Sequence, residues 1–141
     1  MGKTLDSIAI TIGTDRFLGR LETSAAPLTC GIFRSLLPYR QRIIHVRWSG
    51  EGCWIPLGGL DFGLGSENGT SYPAPGHVIL YPGGLSETEF LIAYGPVCFA
   101  SKLGQLAGNH FMTITDDLPR LAEVGRSILW EGAKPIVFES P

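Results

Sequence analysis

The sequence predicts a mostly β domain, a closed antiparallel barrel of about eight strands with two helices over its open ends. The chain of 141 residues contains 19 glycines and 10 prolines, and 17% of its residues are charged, which is typical of short strands joined by tight turns. Hydrophobic and polar residues alternate in several short segments, whereas two segments have helical spacing. A closed barrel fits this pattern because closure removes the exposed edges that many short strands would leave.

The N-terminal part of the chain predicts a hairpin followed by a helix. Hydrophobic residues alternate with polar ones through residues 7–12 and again through 16–22, and residues 13–15 between them have turn chemistry. The first helix is expected over residues 25–37 because its apolar residues have helical spacing. A proline in its first turn and another just after it mark the two ends.

The middle of the chain predicts two further strands and a long loop. Alternation through residues 43–49 places His45 and Arg47 together on one strand face. A glycine-rich turn then leads into a strand at 53–56. Residues 57–75 are rich in Gly, Asn, Ser and Pro and are expected to form a loop of the kind that often carries function.

The C-terminal half predicts four strands and the second helix. Residues 77–81 and 87–94 form a hairpin, 110–114 and 134–139 form single strands, and a helix over 117–130 begins at an aspartate cap and ends near a glycine. The residues expected in the core are Phe33, Leu36, Val46, Phe90, Ile92, Ile114 and Leu121.

Composition narrows the classes of partner and compartment. We expect a single domain over residues 1–141, since this length is usual for one core. The net charge of -2 and the absence of a long Lys or Arg run argue against nucleic acid as a partner. No leader-like apolar segment follows the N-terminus and no stretch is long enough to cross a membrane, so the protein is expected in the cytoplasm.

Cysteines and histidines give no sign of a disulfide, a metal or a cofactor. Cys30, Cys53 and Cys98 lie far apart beside apolar or small neighbours, which is typical of reduced core thiols. The three histidines form no pair at the short spacing of a recognised metal motif. We therefore expect neither a metal ion nor a cofactor.

Several segments carry a resemblance to a known family. They are Ala26-Pro27-Leu28-Thr29, Ile44-His45-Val46-Arg47, Gly58-Gly59-Leu60-Asp61-Phe62 and Gly108-Asn109-His110-Phe111. Their order, together with the order of the predicted elements, resembles that of the cyclophilins over nearly the whole chain. Arg47-Trp48-Ser49-Gly50-Glu51 and Tyr81-Pro82-Gly83-Gly84 resemble more closely the short bacterial cyclophilin-like proteins of unknown function. The resemblance implies a barrel with two capping helices and brings no established activity.

The resemblance also implies where a prolyl isomerase site would lie, and the chain departs from it. Cyclophilins use an arginine to polarise the substrate amide, a glutamine to hold it and an aromatic rim around the proline. Here Arg47 has an altered spacing, Leu57 or Gly58 replaces the glutamine, and Gln105 stands where a tryptophan is usual. His110 matches the rim. We therefore predict no substantial prolyl isomerase activity.

The charged and aromatic residues of the predicted strands are candidates for a binding site. His45 and Arg47 would suit a carboxylate or an amide carbonyl, or Arg47 would pair with a glutamate on a neighbouring strand. Trp54 is expected to form a pocket wall and Trp48 to lie in the core. The full set of ligand-binding candidates is His45, Arg47, Trp54, Tyr81, Glu87, Glu89, Gln105 and His110.

Glu87 and Glu89 raise a catalytic alternative. Two residues apart on a strand, their side chains share one face roughly 6.5 to 7 Å apart, so they could act as a base and an orienting acid; a solvated strand face is the simpler interpretation. Three functions therefore stay open. The first is a binding module for a small polar or anionic molecule or a peptide, the second is an enzyme, and the third is a homo-oligomeric scaffold.

Overall fold

The computed structural model describes residues 6–141, and eight antiparallel strands in it form a closed barrel. The described residues contain eleven strands in all, of which β5, β8 and β9 are short and lie outside the barrel: β1 (Ser7–Ile12), β2 (Asp15–Leu21), β3 (Tyr39–His45), β4 (Gly50–Pro56), β5 (Gly69–Thr70), β6 (His77–Tyr81), β7 (Glu89–Val97), β8 (Ala100–Ser101), β9 (Gly104–Gln105), β10 (Gly108–Ile114) and β11 (Lys134–Glu139). The helices are α1 (Pro27–Leu36) and α2 (Leu118–Glu131).

Strand order around the barrel is β2-β1-β11-β3-β4-β7-β6-β10, and β2 pairs with β10 to close it. The two-residue strand β5 adds to β10, and β8 pairs with β9 in a separate small hairpin. This confirms the predicted fold class. No helix in the part of the chain that the structure describes is long and apolar enough to cross a membrane.

The barrel has a core inside and a second, smaller one outside. Phe33 of α1 and Leu121 of α2 pack into the interior with the inward side chains of the strands. Strand β7 is buried on both faces, because Phe90 and Ile92 belong to the interior core while Leu91 and Ala93 belong to the other. The second core is completed by Val97 at the end of β7 and by Phe99 and Leu106, which follow this strand and cover the barrel wall.

Most of the predicted core is confirmed. Phe33, Phe90, Ile92, Ile114 and Leu121 are buried. Leu36 and Val46 are half-buried, with Leu36 against the interior core and Val46 against the outer one.

The predicted strand over residues 43–49 is wrong in its second half. Strand β3 ends at His45, residues 46–49 form a bend, and β4 already begins at Gly50. Gly50 has a φ of +115° and would place a Cβ 2.6 Å from the Pro96 carbonyl oxygen, so only glycine can start β4 here. As a result His45 and Arg47 do not share a strand face. Trp48, expected in the core, lies in the bend and is 53% exposed.

Helix α2 contacts the barrel through a glycine. A Cβ on Gly125 would overlap the ring of Tyr94, so the missing side chain lets this tyrosine pack directly on the helix backbone. Asp117 accepts a hydrogen bond from the Arg120 amide at the start of α2, and Gly132 follows its end with a φ of +93°. The first and last residues of α2 each lie within one residue of the predicted helix, 117–130.

A polar network ties the long loop to the start of α1. The Glu67 carboxylate accepts hydrogen bonds from the Leu28 amide at 3.0 Å and from the amide and hydroxyl of Thr29 at 2.8 and 2.7 Å. Burial opposes ionisation of Glu67, but these hydrogen bonds outweigh it and hold its pKa below the usual range. A loop residue therefore supplies the negative charge that the helix N-terminus favours.

We expect Glu67→Gln to lower the free energy of unfolding by about 1 kcal/mol at neutral pH, because a neutral amide caps the helix less well and screening limits the effect. The native carboxylate has a lowered pKa, so its contribution is present above the unfolded-state pKa and is lost as the pH falls through the native one. Denaturant titrations at neutral and acidic pH should show the difference shrinking on acidification. Glu123→Gln, on the exposed side of α2, is the control. Equal stability of parent and Glu67→Gln at neutral pH would contradict this role.

Candidate functional site

A pocket of about 370 Å³ opens on the outer side of the barrel. It lies between the bend at residues 46–49, strand β4, residues 86–89 at the start of β7, and residues 100–102 of the small hairpin. Val46 and Trp54 join its wall to the outer core. The floor of the pocket is thus a packed sheet, and its rim consists of loops.

Strand register places an aromatic wall next to a carboxyl group. Trp54 lies opposite Leu91 and Pro56 lies opposite Glu89 in the β4–β7 ladder. Since side chains alternate along a strand, Trp54 and Glu89 point to the same face, which is the face that carries the pocket. Trp48 approaches from the bend, so two indole rings line the cavity.

Glu89 is a buried carboxyl without a protein partner. Its residue is 6% exposed, and within residues 6–141 its side chain forms no hydrogen bond or ion pair. No buried polar side-chain atom of the described chain lacks a partner, so the carboxyl oxygens of Glu89 keep accessible surface in the pocket that this residue lines. Burial, supported by the negative charge of Glu87, raises the pKa of Glu89 to about 8.

Glu87 lies just before β7 at the mouth of the pocket and is exposed. Its carboxylate accepts a hydrogen bond from the Gly58 amide at 3.1 Å. It also lines a neighbouring open cleft of about 650 Å³, whose walls are the glycine-containing segments 58–61 and 82–84. Glu87 therefore separates two concavities.

Arg47 is exposed at the edge of the pocket. Its guanidinium forms none of the ion pairs found among residues 6–141, so the predicted alternative of a pair with Glu87 or Glu89 is not formed. Lys102, which is not among the candidates predicted from the sequence, lines the same pocket from the small hairpin. Its position in a turn between two-residue strands leaves no periodic signal to detect. The pocket thus carries two cationic side chains and two carboxyl groups.

His45 lines the pocket, but its ring has other partners. Nδ1 lies 2.8 Å from the Val46 carbonyl oxygen and Nε2 lies 2.7 Å from the Tyr94 hydroxyl. A carbonyl oxygen can only accept, so Nδ1 donates to Val46 and Nε2 accepts from Tyr94 when the ring is neutral. Both ring nitrogens are therefore engaged, and His45 fixes the end of β3 against Tyr94.

Three other candidates lie away from this pocket. Tyr81 is buried in the outer core, and its hydroxyl accepts a hydrogen bond from the Leu85 amide at 3.1 Å. Gln105 is exposed on β9. His110 stacks on His77 with ring centroids 3.9 Å apart, and burial lowers the pKa of both imidazoles.

The cysteines do not enter the pocket. Cys30 and Cys53 are buried, and burial raises their thiol pKa values to about 11 and about 12, which keeps both protonated. The expectation of a core position is wrong for Cys98, which is exposed. Residues 6–141 contain no group of three or more His, Cys, Asp or Glu side chains placed to hold a metal ion.

Comparison with known proteins gives a family and a fold. Residues 8–139 match the model of a family described as protein of unknown function, DUF3830. No curated protein matches. Among solved structures, a structure of McbB in complex with tryptophan aligns with a TM-score of 0.70 and 17% identity over 94% of this chain. The alignment covers 44% of the McbB chain, so this chain spans less than half of that protein, and the likeness shows a shared fold.

Proposed function

This chain belongs to DUF3830, a family of proteins of unknown function, and we propose that it binds a small molecule carrying a carboxylate and an apolar group. The observation that carries this proposal is the convergence of Arg47, Trp54 and Glu89 on one open concavity. A ligand pocket needs such convergence, whereas a homo-oligomeric scaffold does not. The scaffold is for that reason the weaker alternative.

Each part of the pocket suits one part of such a ligand. The exposed guanidinium of Arg47 has no ion pair within the described residues and presents a planar pair of donors for a carboxylate. Lys102 adds a second positive charge to the lining of the pocket. Trp48 and Trp54 provide apolar walls, and the volume of about 370 Å³ is within the range of small-molecule sites.

Tryptophan, the molecule in the McbB structure, itself combines a carboxylate with an aromatic ring. It is therefore a suitable first compound in a ligand panel of amino acids, 2-oxo acids and short peptides. Thermal shift detects a true ligand because binding to the folded state raises the melting temperature. Calorimetry then gives the affinity.

We expect Arg47→Lys to weaken binding of a carboxylate ligand about tenfold, because the ammonium keeps the charge but lacks the planar pair of donors. Isothermal titration calorimetry measures the change. Arg126→Lys, on the exposed face of α2, should bind like the parent protein. If Arg47→Lys also binds like the parent, Arg47 is not the anchor of the ligand.

A further inference from the structure

We infer that this pocket is also catalytic, with Glu89 moving a proton on and off the carbon next to the carbonyl of a bound 2-oxo acid. The inference rests on the proposed function, because Arg47 has to hold the carboxylate. It adds an activity, proton transfer at carbon, and a substrate class, small 2-oxo acids with an apolar side chain.

The first support is the place of the Glu89 carboxyl. It is nearly buried, it keeps accessible surface in the pocket, and it has no hydrogen-bond partner within residues 6–141. Burial disfavours a carboxyl that has no protein partner, and the accessible oxygens of Glu89 leave the pocket as the place where a partner can bind. A ligand in the pocket is the partner that this carboxyl can reach.

The second support is the raised pKa of the Glu89 carboxyl. The charged or titratable groups that line the same pocket are His45, Arg47, Glu87 and Lys102. Burial and the charge of Glu87 raise the pKa of Glu89 to about 8, so both forms of the carboxyl are present near neutral pH. A group balanced in this way can take a proton and return it, which an ordinary carboxylate does less well.

The third support is the surrounding charge. Arg47 and Lys102 bring two positive charges to a cavity walled by two indoles. Loss of a proton next to a carbonyl places negative charge on the carbonyl oxygen, and cationic groups in a partly dry site stabilise such charge. The same groups that favour a carboxylate therefore favour the enolate.

The step balances without a further reactant. The ionised Glu89 takes the proton from the carbon next to the carbonyl, the electron pair of that C–H bond forms a C=C bond, and the carbonyl π pair moves to oxygen. Protonated Glu89 then returns a proton either to the same carbon, which restores the keto acid, or to the oxygen, which gives the enol. In D₂O the carboxyl exchanges with solvent before it returns the proton, so the substrate carbon gains deuterium.

The test uses 2-oxo-4-phenylbutyrate as the probe, with binding measured by calorimetry and deuterium at carbon 3 measured by proton NMR in D₂O. We expect the parent protein to speed exchange on the order of 100-fold or more over buffer. Glu89→Gln should bind the probe with similar affinity and lose the acceleration. Glu123→Gln, at an exposed position of α2 outside the lining of the pocket, should behave like the parent.

The pH profile separates a catalytic from a structural role. Exchange should rise with pH as Glu89 ionises, with an inflection near 8. Glu87→Gln should move that inflection to lower pH, because it removes the negative charge that disfavours ionisation of Glu89. If Glu89 had only a structural role, Glu87→Gln would leave the inflection of the exchange profile where the parent has it.

Three results would overturn the inference. Exchange by Glu89→Gln at the parent rate would show that another group moves the proton. Binding of the probe without any accelerated exchange would overturn the catalytic role and leave the proposed binding function intact. Absence of binding by the probe and by all other carboxylates of the panel would overturn both.

Discussion

Replacing Phe33 with alanine is expected to lower the free energy of unfolding by about 3 to 5 kcal/mol. The Phe33 ring is fully buried where α1 meets the barrel interior. Its centroid lies 5.0 Å from that of Phe111, 5.2 Å from Phe138 and 5.7 Å from Phe90. Truncation leaves a cavity among three rings that belong to different strands, and rigid strands of a closed barrel collapse poorly into such a space.

Urea or guanidinium titration measures this loss, and a helix neighbour provides the control. Leu28→Ala removes a large apolar side chain from the same helix, but Leu28 is 68% exposed, so the change should be within about 0.5 kcal/mol. A Phe33→Ala protein as stable as the Leu28→Ala protein would show that α1 does not seal the barrel.

Asn109→Ala is expected to cost about 2 to 3 kcal/mol, although it removes few atoms. Asn109 is fully buried on β10; its amide nitrogen donates to Thr29 Oγ1 and to the Gly65 carbonyl, and its oxygen accepts from the Glu67 amide. Alanine leaves the Gly65 carbonyl and the Glu67 amide of the loop without their partner in a place that water reaches poorly. The loss should appear in denaturant titration and as faster hydrogen exchange of the Glu67 amide.

The matched control for Asn109 is Gln105→Ala. It removes an amide from an exposed position nearby in the chain and should change stability by less than about 0.5 kcal/mol. If Asn109→Ala is equally mild, and the Glu67 amide stays protected, the long loop is held by other contacts.

The local spacing of hydrophobic residues predicted much of the fold. Strand β7 shows why: Phe90 and Ile92 alternate with Leu91 and Ala93, and both the strand and its two faces follow from that period. The helices were predicted to within two residues because prolines, an aspartate and a glycine mark their ends. The error at residues 46–49 has a different origin, since the bend depends on the approach of Gly50 to Pro96, a contact far along the chain.

The site was harder to predict because its properties depend on which charged side chains are buried, and burial is set by contacts between distant parts of the chain. Of the eight candidates predicted from the sequence, the structure brings five to one pocket, namely His45, Arg47, Trp54, Glu87 and Glu89. Whether they bind a ligand stays a prediction. Nothing in a two-residue spacing shows that Glu89 is buried while Glu87 is exposed, because the difference arises from the packing of the small hairpin and the outer core.

Of the predicted family relationship, only membership in a family of unknown function is confirmed. A match to a family of unknown function is what the resemblance to uncharacterised bacterial proteins implied. The relationship to the cyclophilins and the absence of prolyl isomerase activity stay predictions. Arg47 lies in a bend instead of on the strand that the resemblance implied, which gives a further structural reason to expect no such activity.

Strand β11 lies between β1 and β3, so the most C-terminal strand of the barrel joins the N-terminal hairpin to the rest of the sheet. A nascent chain that ends before residue 134 has two open strand edges, one on β1 and one on β3, and the barrel wall has a gap. Pairings between distant parts of a chain form slowly, and open edges pair readily with other chains. We therefore expect chains that lack β11 to aggregate through these two edges more readily than the full barrel does.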